Sequence, residues 1–104
     1  MNETPIKHAP TLAMLRGRRV EILKLTERYG VSNIRIFGST ARGEATTDSD
    51  VDLLVTVPDG VSVFDLVGLW LDLQDILECS VSIVADDTPD EHFMRNVLQD
   101  AVPL

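Results

Sequence analysis

With 104 residues, 44% of them hydrophobic and 25% charged, the chain has the make-up of an ordinary folded protein and room for one modest core, so a single domain over residues 1 to 104 is expected and disorder or collagen-like repeats are excluded. No run of about 18 apolar residues exists to span a bilayer, and the N-terminal "MNETPIKHAP" lacks the basic and apolar regions of a signal peptide, so a cytoplasmic protein with no membrane contact is expected. The net charge of −8 conceals an asymmetry: residues 1 to 43 carry eight Lys/Arg against three Asp/Glu and residues 44 to 104 one against fourteen, a balance that repels nucleic-acid phosphates and favours a basic partner or plain solvation.

"TLAMLRGRRVEILKLTERYG", residues 11 to 30, sets Leu12, Leu15, Val20, Ile22, Leu23 and Leu25 among basic residues and predicts a helix with Thr11 as a possible N-cap and Gly30 at its C-terminal end. "NIRIF", residues 33 to 37, alternates Ile34 with Ile36 and predicts a short strand, from which a glycine-serine turn follows directly. After a polar loop over 43 to 49, "DVDLLVTV" from Asp50 to Val57 predicts a second strand that "PDG" breaks. "VFDLVGLWLDLQDILE", residues 63 to 78, is too long for a strand, and its Asp65, Gly68, Asp72 and Asp75 define one narrow solvent stripe on a helix. About two thirds of that helix is apolar, so it is either sandwiched in the core or leaves its outermost members as a partner surface. The lone Cys79 forms no internal disulfide and offers no paired metal ligand, so it is expected as a small, partly buried apolar residue. "SVSIVA", residues 80 to 85, predicts a third strand, and "PDEHFMRNVLQDAV" from Pro89 a closing helix capped by Asp90 or Thr88. His8 and His92 have no ligand-spaced companion. The element order predicts a small α/β (α+β) layer with helices against a sheet of three or more strands.

The stretch that invites chemistry is "GSTARGEATTDSDVDLLV", residues 38 to 55. On a strand, Asp50 and Asp52 point to one face with Cα atoms roughly 6.5 to 7 Å apart, close enough to converge on one hard divalent cation. Magnesium takes a few carboxylates and completes its octahedron with water and phosphate oxygens. Val51, Leu53 and Val55 would face the core, and the two carboxylates repel unless a cation or a raised pKa intervenes. An EF-hand is excluded because its sixth position, counted from Asp48, is Leu53 rather than glycine; a P-loop is excluded because Glu44 and Ala45 follow Gly43. The glycine-serine turn can offer backbone N–H groups and the Ser39 hydroxyl to phosphate oxygens at a helix N-terminus, with Arg42 as a charged donor one turn on. Taken singly, Ser39 is equally a helix N-cap and Arg42 a surface arginine.

Together these residues resemble the signature of the DNA polymerase β-like nucleotidyltransferase superfamily, a glycine-serine, an arginine-glycine and then Ser-Asp-x-Asp-Leu about ten residues on, nearest to its minimal, MntA-like branch. "VFDLVGLWLDLQDIL" and the terminal "AVPL" also look like that family's helix and tail. The resemblance implies the nucleotidyltransferase fold, a small mixed sheet flanked by helices, and magnesium-dependent transfer of AMP from ATP. Carried over by position, Gly38 and Ser39 would hold the β- and γ-phosphates and Arg42 would support them. Ser49 would shape the turn, and Asp50 and Asp52 would bind the metals as the catalytic pair. The family's third carboxylate, on the next strand, falls at Ser82, where a neutral side chain can neither deprotonate an acceptor nor charge a second metal site. Asp86 is the nearest acid that could stand in, followed by Asp87, although both are also ordinary loop acids ahead of a helix. The implied partner is a HEPN-type toxin, a ribonuclease whose tyrosine is adenylylated by this chain as the antitoxin of a type VII-like pair. The alternatives, prompted by Ser82, are an inactive antitoxin that neutralises its toxin by binding and a nucleotide-binding subunit that its partner completes.

Overall fold

The computed structural model describes residues 8–104; residues 1–7, where the expected domain and the N-terminal decapeptide begin, lie outside the described residues. Thr11 caps the first helix as expected, accepting the Met14 N–H at 3.0 Å. The helix predicted over 11 to 30 is instead two, α1 (Leu12–Gly17) and α2 (Arg19–Arg28), because Arg18 leaves helical dihedrals at φ −105°, ψ 14° next to Gly17, a poor helix former. Leu15 and Ile22 are both buried across the break, and Thr26 joins them by donating its hydroxyl to the Leu23 carbonyl at 3.0 Å, which removes the penalty of burying it.

Four strands follow: β1 (Ser32–Phe37), β2 (Val51–Thr56), β3 (Val81–Ala85) and β4 (Val102–Pro103), in the spatial order β3-β2-β1-β4. β1 runs antiparallel to β2 and β4, whereas β2 and β3 are parallel, joined by a helical crossover, so the sheet is mixed. The fourth strand comes from the "AVPL" tail, tied to β1 by the Leu104 N–H on the Ile34 carbonyl at 3.2 Å and to α1 by Arg16 on the Pro103 carbonyl at 3.0 Å. The other helices are α3 (Gly38–Arg42), α4 (Val63–Leu77) and α5 (Glu91–Asp100), the last capped by Asp90, which accepts the Phe93 N–H at 3.0 Å.

Strand alternation divides the core in two. Ile36, Val51, Leu53, Val55 and Val81 meet Leu15, Ile22, Leu69 and Leu73 on one face, under α1, α2 and α4, with Cys79 partly buried at the margin. Phe37, Leu54 and Val97 form a smaller cluster on the other face, under α5. Among the described residues no helix is long and apolar enough to cross a membrane.

Ser62 and Asp65 close a reciprocal capping box at the start of α4, which buries Leu69, Leu73 and Leu77. The expected solvent stripe is only partly wet. The Tyr29 hydroxyl donates to Asp72 at 2.5 Å, and a Cβ built on Gly68 would lie 2.8 Å from the Tyr29 ring, so Gly68 and Asp72 form the seam against α2. Val63, Phe64, Val67, Trp70 and Leu71 are left exposed. Replacing Gly68 by alanine should therefore lower stability by about 1 to 2 kcal/mol through overpacking, against the roughly 1 kcal/mol that helix propensity would add. Denaturant titration checks this, and in a Tyr29→Ala background the same change should become stabilising.

Candidate active site

The pairing brings three separated pieces of sequence to one end of the sheet. Antiparallel register sets Phe37, the last residue of β1, opposite Asp52, and parallel register sets Ser82 opposite the same Asp52. Neighbouring strands lie about 4.8 Å apart, so Ser82, where the resemblance puts a third carboxylate, is directly beside Asp52. β2 begins at Val51 rather than at Asp50, which leaves Asp50 exposed just ahead of the strand. Val51, Leu53 and Val55 face the main core as expected.

Gly38 is where the two halves of the motif meet. It takes a left-handed φ of +71°, and a Cβ built there would overlap Asp52 Oδ2 and lie 3.2 Å from its Cγ. Only glycine satisfies both demands. α3 starts at this residue with Phe37 as its N-cap and no side-chain capping bond, so Ser39 is not the cap. Among the described residues the Ser39 hydroxyl makes no hydrogen bond, and the neighbouring Thr40 hydroxyl is buried without a partner. Uncapped N–H groups and unsatisfied hydroxyls at a helix start are groups that phosphate oxygens satisfy.

Burial first, and the Asp50 charge second, push the Asp52 carboxyl above the ordinary carboxylate range, while Arg42 pulls it back. A divalent cation would add an attraction able to outweigh the first two effects, and two carboxylates with the remaining ligands from water and phosphate match the donor set magnesium accepts. Among the described residues no group of three or more His, Cys, Asp or Glu side chains converges on a metal position. Arg42 lies on the same turn as Ser39, but its guanidinium reaches Glu44 at 3.0 Å and Asp100, the last residue of α5, at 2.6 Å. Ser49 closes its loop: its hydroxyl accepts the Thr46 N–H at 2.8 Å and its own N–H bonds the Thr46 carbonyl at 3.0 Å.

Asp86 does not stand in for the missing acid. β3 ends at Ala85, and the Asp86 carboxylate accepts from Thr56 Oγ1 at 2.5 Å and Arg35 Nη2 at 2.8 Å. It lies four residues, roughly 13 Å, along the strand from Ser82. The Thr56 hydrogen bond first, and Arg35 after it, hold its carboxyl below the usual range. Asp100 and the Arg35–Asp86 pair were not foreseen, since no spacing in the sequence announces a contact made by tertiary packing.

Residues 20–101 match the family model for the nucleotidyltransferase domain. The chain belongs to that family. It is 34% identical over 97 residues, 88% of its length and 98% of the relative's, to the protein adenylyltransferase MntA of Thermococcus cleftensis. A solved structure named as a minimal nucleotidyltransferase superposes with a TM-score of 0.80 at 41% identity, covering 90% of this chain and 96% of that one. The fold is shared with one chain of the solved complex of tri-AMPylated Shewanella oneidensis HEPN toxin with MNT antitoxin, matched at a TM-score of 0.64 and 19% identity over 85% of this chain and 69% of that one. The resemblance read from the motif is therefore borne out, as is the mixed α/β fold of a minimal nucleotidyltransferase.

The strain at Asp52 has a measurable sign in this nucleotidyltransferase. A carboxyl whose folded pKa is raised is unfavourable when ionised, so the penalty is absent below the unfolded-state value, accrues as pH rises through the folded one, and is complete at neutral pH. Asp52→Asn should therefore raise Tm at pH 7 by about 2 to 5 °C in the absence of magnesium, with the advantage vanishing near pH 3. Calorimetry across that range checks it.

Proposed function

We propose that the chain is a protein adenylyltransferase that moves AMP from ATP to a tyrosine hydroxyl of a HEPN-type toxin, acting as its antitoxin in a cytoplasmic type VII-like pair. The observation that carries this reading is the packing of Gly38 against Asp52, which sets the uncapped start of α3 beside a carboxylate that burial and the neighbouring Asp50 charge hold above its ordinary range, in a chain of this family. Support for the acceptor comes from the relative named protein adenylyltransferase and from the AMPylated HEPN toxin complex that shares the fold.

In this reaction the acceptor oxygen attacks the α-phosphorus and the bond to pyrophosphate breaks. The backbone of Gly38 and Ser39 and the Ser39 hydroxyl bind the β- and γ-phosphates, and Arg42 exchanges its Asp100 or Glu44 contact for phosphate oxygen. Asp50 and Asp52 would hold Mg2+, which when bound would offset the charge developing on the phosphates and the acceptor oxygen. Ser49 keeps the loop ahead of Asp50 folded. No acid stands at Ser82 to take the acceptor proton, a contribution typically worth 10² to 10⁴-fold, so turnover is slow. An acidic surface over residues 44 to 104 suits a protein acceptor and not nucleic acid.

The neutral Ser82 opposite Asp52 also favours a second reading, an antitoxin of weakened or lost catalysis that neutralises its toxin by forming a hetero-oligomer. Labelled ATP, magnesium and a HEPN-type protein, with the product of the neighbouring gene as the first candidate, separate the two. Label should pass to the toxin, fall at least about 100-fold with Asp50→Asn or Asp52→Asn, and rise about 10-fold or more with Ser82→Asp. A tight complex that carries no label under any condition removes the first reading and leaves the second.

A further inference from the structure

The apolar side of α4 is twice as wide as the core can use. Leu69, Leu73 and Leu77 are buried, and the adjoining arc of Val63, Val67, Trp70 and Leu71 is exposed. This arc borders a groove of about 370 Å³ between α4 and β3, lined by Leu66, Val67 and Trp70 on one side and Val81, Ser82 and Ile83 on the other. Successive strand residues point to opposite faces, so a lining of three in a row means that the groove follows the open backbone edge of β3, which is the outer strand of the sheet.

That edge is blunted. The Val51 N–H on the Ser80 carbonyl and the Asp86 N–H on the Val55 carbonyl fix the alternation, which turns the backbone of Val81, Ile83 and Ala85 outward. Val81 is occupied in both directions, its N–H by Gln74 Oε1 at 3.2 Å and its carbonyl by Trp70 Nε1 at 2.6 Å, and the Ala85 carbonyl accepts from Thr88 at 2.7 Å. Little more than Ile83 remains for an added strand, too little for β-augmentation. The apolar arc, by contrast, fits the anchors of a helix laid in a groove. The charge of the surround narrows the occupant further. No Lys or Arg occurs between residue 43 and Arg95, while Asp59, Asp75, Glu78 and Asp87 are exposed on the elements that frame the groove. Two copies of this face would set carboxylates against carboxylates, so a second copy of the chain is disfavoured.

We propose that the α4–β3 groove receives an amphipathic helix of the acceptor protein, with its apolar side on Val67 and Trp70 and a Lys- or Arg-rich flank over the acidic rim. The groove runs along β3 past Ser82, the register neighbour of Asp52, so a helix seated there lies along the strand next to the one that carries Asp52. The inference rests on the acceptor being a protein.

Trp70 is the chain's single tryptophan and reports on the groove directly. Binding of the HEPN-type acceptor that receives AMP, or of the neighbouring gene's product, should shift Trp70 emission to the blue, and Val67→Glu or Leu71→Glu should weaken the complex at least about 10-fold while leaving the thermal melt unchanged. A 14-residue Leu/Lys helical peptide should give the same shift, and a Leu/Glu peptide of identical apolar spacing should not. A complex formed at full strength by both variants overturns the docking site even where AMP transfer is intact. So does a failure of the Leu/Lys peptide to move Trp70, or self-association in sedimentation that Val67→Glu abolishes. Loss of binding in the variants where even the wild type transfers no AMP keeps the docking site and removes the adenylyltransferase reading.

Discussion

The rest of the site depends on the absence of one side chain. Gly38 follows β1 directly in a left-handed conformation, and any Cβ there would occupy the space of Asp52 Oδ2. That contact exists because antiparallel register sets Phe37 opposite Asp52, and it turns the chain at once into α3 rather than along the sheet. The helix start and the carboxylate are therefore placed by the same two strands, with no loop between them to vary. Sites on regular elements hold their geometry better than sites on loops, and here the loop over 43 to 49 is itself pinned by Ser49 and Thr46.

Charge is distributed around this point unevenly. Asp86 and Asp100 each have an arginine, Arg35 and Arg42, and Asp86 has the Thr56 hydroxyl as well. Asp52 has burial and a second carboxylate, and Arg42 acts on it while its hydrogen bonds go elsewhere. A third carboxylate at Ser82 would stand beside Asp52 in register and add to the repulsion that a bound cation must offset. Serine there lowers the electrostatic cost of the folded state and in the same step removes the group best placed to receive a proton. The two readings of the function differ on how much of that trade the chain has made.

The sequence disclosed what is local. Thr11 and Asp90 as caps and the strand interiors at Ile34, Ile36, Leu53 and Val55 follow from spacing and side-chain chemistry. What it withheld is what depends on a partner across space. A single residue, Arg18, breaks a helix whose apolar pattern reads as continuous, because Leu15 and Ile22 keep one face through the break. Gly68 and Asp72 read as solvent-facing until Tyr29 is packed on them. The tail strand at Val102 is two residues long and carries no pattern of its own, and Asp86 has the right face for a substitute acid yet sits at the wrong end of the sheet.

The same limit of size connects the site to the exposed side of α4. A chain of about a hundred residues has two layers of helix for one sheet, and α1 and α2 are consumed in covering the face that holds Leu53 and Val55. Nothing remains among the described residues to reach around α4 to the outer edge of β3. The parallel crossover that α4 makes is what brings Ser82 into register with Asp52, so the helix that completes the reacting end is also the one left half uncovered. A partner that covers it necessarily lies along the strand carrying Ser82, next to the strand that carries Asp52.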